Sequence, residues 1–272
     1  MKIYTALLMI LFMTFSVNAD DSEGGMLVQF QGPIEQGSLV RGHVPAGSSL
    51  KLDGLDIKVS PDGYFVVGFS RDQSPNSIYI VDLADGEKIA GSLTIASRNY
   101  DIERVDGLPP KTVSPPPSWT KRRNEENSRV AKGRAFVTDD EYWRDEFIKP
   151  ASGRISGVYG SQRILNGEPR SPHYGLDIAN KTGTKVVAPA SGIIRLAAPD
   201  FLFEGGIIMI DHGFGVTSTL FHLNSVEVKE GQNVKQGERI GSIGATGRAS
   251  GPHVDWRLNW QNVRLDPALV LK

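Results

Sequence analysis

Short alternating runs of apolar and polar residues, interrupted at short intervals by turn-forming residues, are the feature that most constrains how this chain can fold. The chain has 30 Gly and 16 Pro in 272 residues. Runs of this kind predict β-strands joined by tight turns. In the first part of the chain the predicted strands are residues 26–30, 39–43, 50–52, 57–59, 64–69, 78–83, 89–95 and 100–105. We expect an all-β fold with short helices, in which these strands form an amino-terminal β-sandwich.

The first 19 residues have the pattern of a cleavable export signal. Lys2 supplies a positive charge, an apolar run follows, and Val17 and Ala19 place small residues before a predicted cleavage site. A membrane anchor, the alternative, would need about 20 apolar residues, and acidic residues begin already at Asp20. We therefore predict residues 1–19 as a signal peptide and expect the mature chain to be exported to the periplasm or the cell envelope.

Composition narrows the classes of function that the exported chain can have. The full sequence has 30 basic and 31 acidic residues, which nearly cancel, so net charge gives no general reason to bind nucleic acid or an anionic membrane. It has no cysteine, which excludes disulfides, thiolate nucleophiles and cysteine metal sites. Any metal must therefore be held by His and carboxylate groups. Residues 20–106 contain His43 alone among the histidines, and we interpret this region as an accessory domain.

Residues 107–150 are predicted to connect two domains. Five prolines between residues 107 and 117 indicate a semi-rigid spacer, which few contacts are expected to cross. A polar helix is predicted over residues 118–134, with a charged face that is either solvated or a site for an anionic polymer. A second short helix is predicted over residues 138–150. Its expected buried side chains are Tyr142, Trp143 and Phe147.

The last part of the chain carries four of its five histidines, in segments punctuated by Gly and Pro. One His and one Asp lie four residues apart around a glycine, a second His lies in a predicted strand, and a third His precedes an Asp by two residues. Side chains two apart in a strand share a face. These groups supply enough N and O donors for a three-ligand zinc site with an open position, and imidazoles for proton transfer. They are His173, Asp177, His222, His253 and Asp255.

The order of these motifs resembles the lysostaphin/LytM-type zinc endopeptidases. The run Pro172-His173-Tyr-Gly-Leu-Asp177 is similar to the H-x-G-x-D motif of that family. The similarity continues in one colinear block over residues 156–267, and the segments that carry it are residues 187–192, 210–213, 220–223, 231–247 and 246–253. The resemblance implies that residues 151–272 form a LytM-type antiparallel β-sheet peptidase domain.

The same resemblance implies a zinc ion held by His173 and Asp177, with His222 and His253 next to the reacting water. It also implies hydrolysis of peptide bonds in peptidoglycan. The family usually ends in His-x-His, whose second His is the third zinc ligand, and this chain has Asp255 in that place. Because aspartate can also bind zinc, we expect Asp255 to be the third ligand. Its negative charge is expected to make the metal a weaker Lewis acid.

Other residues near these motifs have lesser expected roles. We predict that His212, in an Asp-His-Gly turn, secures a strand end and does not touch the metal. Proximity in sequence makes four further residues candidates for lining the substrate groove. They are Arg154, Gln162, Tyr174 and Asn180.

Two other functions remain open at this point. A catalytically inactive LytM-like domain would bind cell wall or activate an amidase, and Asp255 is the residue that suggests it. A biotinyl- or lipoyl-like carrier is suggested by the hairpin-like run over residues 228–241, but no Met lies near a candidate Lys there. The main prediction is a zinc endopeptidase, and its expected partners are peptidoglycan peptides and regulatory proteins of the envelope.

Overall fold

The computed structural model describes residues 27–106 and 116–271. The predicted signal peptide and most of the Pro-rich spacer lie outside the described residues. Strands dominate the rest, together with one α-helix, α1 (Thr120–Arg134), and three short 3-10 helices at Pro117–Trp119, Tyr142–Arg144 and Pro267–Val270. No helix in the described ranges is long and apolar enough to cross a membrane.

The first seven strands build two antiparallel sheets with the spatial orders β1-β2-β5 and β4-β3-β6-β7. Turn residues at Asp53-Gly54 and at Gly63 allow the chain to reverse between neighbouring strands, since both glycines have positive φ. Both sheets bury apolar side chains, such as Phe65 and Val67 in the first and Leu50 and Val81 in the second, so the predicted all-β character of this region is confirmed. The strands are β1 (Gln29–Gln31), β2 (Leu39–His43), β3 (Ser49–Leu52), β4 (Leu55–Ile57), β5 (Tyr64–Gly68), β6 (Asn76–Asp82) and β7 (Lys88–Thr94).

The eighth strand leaves the first two sheets. β8 (Ile102–Val105) pairs in parallel with β10 (Gln162–Leu165), which also pairs with β11 (Glu168–Pro169). The sequence predicts a strand over residues 100–105 but assigns it to the sandwich. In the structure it joins a small third sheet beside the second half of the chain.

The second half is organised around a ten-stranded sheet. Its main path has the order β17-β14-β15-β16-β19-β12-β9, while β18 pairs with β16 and β13, and β20 pairs with β19. All of these pairings are antiparallel, and the central strands β15 and β16 are buried over most of their length. The strands are β9 (Arg154–Gly157), β12 (Leu176–Ala179), β13 (Lys185–Val187), β14 (Gly192–Phe201), β15 (Gly205–Asp211), β16 (Val216–Val226), β17 (Asn233–Val234), β18 (Arg239–Ile243), β19 (His253–Trp260) and β20 (Val263–Leu265).

Many contacts join the parts of the chain that precede and follow the spacer, although the sequence predicts few. One continuous hydrophobic cluster contains core residues of both halves, such as Phe65 and Leu265. Arg41 donates hydrogen bonds to the carbonyl oxygens of Trp143 and Asp145 at 2.9 and 2.8 Å. The domain limits at residues 107 and 151 remain a prediction, and a chain beginning after the spacer would expose part of this shared core.

Helix α1 confirms the predicted polar helix, and three of its six cations form ion pairs with described residues. Arg123 contacts Glu126 and Glu204 at 3.0 and 2.6 Å, and Arg129 contacts Glu230 at 3.0 Å. The pairs with Glu204 and Glu230 fasten the helix to loops of the large sheet, and all of these pairs leave fewer of its cations to bind an anionic polymer.

The predicted second helix is wrong. Residues 138–150 form an irregular segment with one 3-10 turn, Tyr142–Arg144. The hydroxyl of Thr138, at the start of the predicted helix, donates to Asp211 Oδ2. Trp143 and Phe147 are nevertheless buried as expected, because the large sheet offers them an apolar surface. Tertiary packing has therefore replaced the local helical pattern.

A buried ion pair between the two halves generates a test of their coupling. Arg98 Nη2 lies 2.8 Å from Asp266 Oδ2, and the Asp266 side chain is only 4% exposed. Arg98→Met should lower the free energy of unfolding by about 3 kcal/mol, because it leaves a buried carboxylate without its cation. The matched control Arg129→Met removes an ion pair whose side chains are about half exposed and should cost under about 0.5 kcal/mol. Urea denaturation measures both, and equal effects would contradict the coupling.

Candidate metal centre and active site

Two aspartates face each other across neighbouring strands. Asp177 on β12 is directly opposite Asp255 on β19 in the antiparallel pairing. Both side chains are buried, with residue exposures of 7% and 2%. Like charges in this arrangement repel each other. The pair therefore needs positive charge nearby, and the surrounding residues show where that charge can come from.

The inner oxygens of these two aspartates form a donor cluster with His173. The ligand atoms of His173, Asp177 and Asp255 lie within 4.8 Å of one another. His173 Nε2 lies 3.2 Å from Asp177 Oδ1, close to the roughly 3.4 Å that separates two ligands of a tetrahedral ion at about 2.1 Å each.

None of the donor atoms in this cluster has a hydrogen-bond partner among the described residues. Both ring nitrogens of His173 and the Oδ1 atoms of Asp177 and Asp255 are buried without one. Leaving buried polar atoms unpaired is costly, and a bound cation would satisfy one ring nitrogen of His173 and the Oδ1 atoms of Asp177 and Asp255 at once. The three residues therefore fit a metal ion.

The outer oxygens of the same aspartates are held by arginines. Arg257 donates to Asp255 Oδ2 from Nη2 at 2.8 Å and from Nε at 3.1 Å. Arg163 Nη2 donates to Asp177 Oδ2 at 3.2 Å. Burial alone would raise the pKa of Asp255, but the Arg257 guanidinium holds the pKa of that carboxyl well below its usual range. Asp255 is therefore ionised and presents Oδ1 to the cluster.

Two glycines make room for these carboxylates. A Cβ at Gly175 would lie 1.9 Å from Asp255 Oδ1, and a Cβ at Gly157 would lie 2.3 Å from Asp177 Oδ2. Neither contact is possible for a real side chain. The glycine between His173 and Asp177 therefore leaves space for the carboxylate of Asp255.

His222 reaches the cluster through a local irregularity in β16. Leu220 and Leu223 pair with Ile208 and Gly206 of β15, so the intervening stretch of β16 contains one more residue than its partner. His222 has φ = 64°, a conformation uncommon for residues other than glycine. A bulge of this kind re-aims a side chain out of the regular alternation, and it accounts for His222 and Phe221 both lying near the cluster.

His222 and His253 form a pair with matching hydrogen bonds. Their ring centroids are 4.7 Å apart. His222 Nδ1 lies 2.9 Å from the Thr246 carbonyl oxygen, and His253 Nδ1 lies 2.8 Å from that of Gly251. A carbonyl can only accept, so each Nδ1 carries the proton and donates it. In the neutral rings Nε2 is therefore left as a proton acceptor, and His253 Nε2 lies 3.8 Å from Asp177 Oδ1.

The electrostatics of His222 suit a proton acceptor. Burial, with a smaller contribution from the neighbouring His253, lowers the pKa of His222 to about 4 against the opposing charge of Asp255. His222 is therefore neutral at pH 7, and its Nε2 carries no proton. A ring in this state can accept a proton, although a pKa this far below 7 makes it a weaker base than a free imidazole.

The comparisons with known proteins agree with this geometry. Residues 171–267 match the family described as Peptidase family M23. The chain contains an M23 peptidase domain. It is 40% identical over 235 residues to the DD-carboxypeptidase/endopeptidase Mpg of Neisseria gonorrhoeae, covering 84% of this chain and 50% of that protein. It is 35% identical over 106 residues to the peptidoglycan DD-endopeptidase ShyA of Vibrio cholerae, covering 39% and 24%.

A solved structure extends the likeness beyond the M23 domain. The crystal structure of a Pseudomonas aeruginosa protein described as a peptidase M23 is 26% identical, with a TM-score of 0.68, and the match covers 88% of this chain and 95% of that one. The first half of the fold is therefore shared as well. The chain spans only about a quarter to a half of the length of the curated relatives it matches.

The M23 domain places its donor cluster in an open cleft of about 710 Å3. Of the residues predicted to line a groove, Arg154 and Tyr174 do so. Gln162 is instead bonded to backbone carbonyls, including that of Arg170, and Asn180 donates to the Ser152 carbonyl at 2.8 Å. Proximity in sequence therefore identified two of the four correctly.

His212 lies in the core of the M23 domain and away from the cleft. It is fully buried, with Nδ1 2.7 Å from the Ser191 carbonyl oxygen and Nε2 2.9 Å from Ser218 Oγ. Its ring packs edge-on against Phe147. Burial lowers its pKa to about 4, so this histidine is a neutral, hydrogen-bonded part of the core.

Sequence reasoning missed the residues that support the donors. Arg257 could have been found, since it follows Asp255 by two residues and shares its strand face. Arg163 and Glu103 could not, because they meet only through the pairing of β8 with β10. Glu103 Oε2 lies 3.2 Å from Arg163 Nε, so a strand of the first half contacts the arginine that holds Asp177.

The close approach of Asp255 to Gly175 predicts that metal binding is sensitive to substitution of this glycine. Gly175→Ala should weaken metal binding at least about tenfold, because the new methyl group displaces Asp255 Oδ1. Gly251→Ala is the matched control, since a Cβ there meets nothing within 4 Å. Titration of the metal-free proteins against a chromophoric zinc chelator measures both affinities. Equal affinities would contradict the assignment of Asp255 Oδ1 to the donor cluster.

The buried His212 predicts a dependence of stability on pH. Its pKa is about 4 in the folded chain and about 6.5 when unfolded, so the unfolded chain takes up its proton first. The contribution of the neutral His212 to the free energy of unfolding is therefore present in full above about pH 6.5. It is lost as the pH falls toward 4. Between pH 7 and pH 5 the wild type should lose about 2 kcal/mol more than His212→Gln. Urea denaturation with chelator present measures this, and identical losses would show that His212 does not titrate in this way.

Proposed function

We propose that this chain is a zinc-dependent endopeptidase that hydrolyses peptide bonds in the stems or cross-links of peptidoglycan. The observation that carries the proposal is the buried cluster of unpartnered donors, His173, Asp177 and Asp255, beside two histidines with free acceptor nitrogens in an open cleft. The peptidoglycan endopeptidases among the relatives support the choice of substrate.

The residues of the cleft divide the chemistry among them. His173, Asp177 and Asp255 would hold the zinc, which when bound supplies Lewis acidity to the scissile carbonyl. One of the pair His222 and His253 accepts the proton of the attacking water at Nε2. The other histidine, in its doubly protonated form, stabilises the developing oxyanion or gives its Nε2 proton to the leaving amine. No side chain has to form a covalent bond to the substrate.

The charge of the cleft favours a peptide with free carboxylates. Three acidic residues line it, and two of these are candidate zinc ligands. Positive charge concentrated in a cleft attracts anionic ligands, and peptidoglycan stem peptides carry free carboxylates. We propose that the chain acts on them in the periplasm or cell envelope after export. The arginines of the cleft are Arg123, Arg154, Arg163, Arg170, Arg248, Arg257 and Arg264.

A catalytically inactive domain is the second candidate. The ion pair between Arg257 and Asp255 favours it, because one oxygen of a candidate ligand is already occupied. Against this, Asp255 Oδ1 stays without a partner, and His222 and His253 are both in place. Such a domain would bind cell wall or activate an amidase without hydrolysing peptide bonds itself.

Digestion of purified cross-linked peptidoglycan decides between the two. We expect new amino and carboxyl termini in the products, identified by mass spectrometry, and their loss when a chelator removes the metal. Zinc content after mild dialysis should be about one ion per chain. A chain that retains zinc but releases no peptide products, or that binds no zinc, would support the inactive domain.

The histidine pair predicts the size of one mutational effect. His253→Ala should lower kcat by about 10²- to 10⁴-fold, the usual contribution of a general acid or base, while zinc binding stays stoichiometric. Product formation from peptidoglycan fragments and zinc content are measured on the same preparation. Near-normal turnover at full zinc occupancy would contradict a catalytic role for His253.

A further inference from the structure

The two oxygens of Asp255 lie in different surroundings. Oδ1 is buried without a partner and belongs to the donor cluster, whereas Oδ2 accepts two hydrogen bonds from Arg257. The side chain of Asp255 is 3% exposed and that of Arg257 is 32% exposed. The arginine thus approaches the carboxylate from the cleft side and fixes which oxygen is left for a metal.

Arg257 is dedicated to this one carboxylate. Among the described residues, Asp255 is the only acidic side chain within ion-pair distance of it. Arg163, in contrast, divides its charge between Asp177 and Glu103. The guanidinium of Arg257 also stacks over the ring of Phe221 at 4.5 Å, and Phe221 is directly opposite Asp255 in the sheet. Packing from β16 therefore holds the arginine against the aspartate.

We infer that Asp255 and Arg257 act as one unit, which presents a single oxygen to the metal and carries no net charge. In this respect the unit is equivalent to a neutral imidazole. Arg257 is then a positioning residue, because it orients Oδ1 and cancels the extra negative charge of an aspartate ligand. This inference rests on the proposed zinc site, and it changes the expectation that Asp255 makes the metal a weaker Lewis acid.

Exchange of the ligand at position 255 should depend on the charge at position 257. A histidine at position 255 supplies a good zinc ligand, but it leaves the Arg257 cation unpaired beside a divalent ion. Repulsion between these charges is strong in a buried site. Asp255→His alone should therefore bind zinc poorly, although it restores a common ligand type. Binding should recover only when the positive charge at position 257 is also removed.

Zinc affinities of a set of metal-free variants test this. Relative to the wild type, Asp255→His should weaken zinc binding about tenfold or more, and Asp255→His/Arg257→Gln should return to within about threefold. Asp255→His/Arg257→Lys should remain weak, because lysine keeps the charge. Competition with a chromophoric chelator gives the affinities, and thermal unfolding of the metal-free proteins shows whether each variant is folded.

A second arginine of the same cleft supplies the matched control. Arg264 stacks on Tyr174 at 4.3 Å, so Asp255→His/Arg264→Gln should bind zinc as poorly as Asp255→His. Recovery in this control would overturn the inference, as would equal affinities of Asp255→His and Asp255→His/Arg257→Gln. If Asp255→His unfolds but the variant with Arg257→Gln folds and binds zinc, the coupling stands. A wild type that binds no zinc would overturn the proposed function, and this inference with it.

Discussion

The repulsion between two buried carboxylates is the interaction on which the rest of the site depends. Asp177 and Asp255 are placed opposite each other by the pairing of β12 with β19. Burial of an unpaired charge is very costly, so this arrangement is stable only with cations on both sides. Arg163 and Arg257 occupy the outer oxygens, and the inner oxygens are left for a metal. The fold therefore builds a site in the cleft whose negative charge needs a bound cation to balance it.

The residues that position the donor cluster are far apart in sequence. Gly157 and Gly175 let neighbouring backbone approach the carboxylates, and the bulge in β16 turns His222 toward them. Arg163 is in turn held by Glu103, which belongs to the strand that leaves the first sheets. The first half of the chain is therefore connected to a candidate metal ligand through two consecutive ion pairs.

Local patterns predicted the strands well, because alternation and turn residues act over a few residues. The same alternation placed His253 and Asp255 on one face. Prediction from local alternation fails where tertiary contacts determine the path of the chain. Residues 138–150 have a helix-like start, yet burial of Trp143 against Phe214 and of Phe147 fixes an irregular path. The parallel pairing of β8 with β10 has no local signal either, which is why Arg163 and Glu103 could not be predicted.

The charge balance of the cluster shows how an aspartate can stand where a neutral ligand is usual in the resembling family. A lone aspartate would add one negative charge to a buried group that already contains Asp177. Arg257, two residues later on the same strand face, adds one positive charge at the outer oxygen. The formal charge around the donors is then the same as with a neutral third ligand. Because alternation along β19 delivers both residues to the same side, the two changes can be made within one strand without altering the fold.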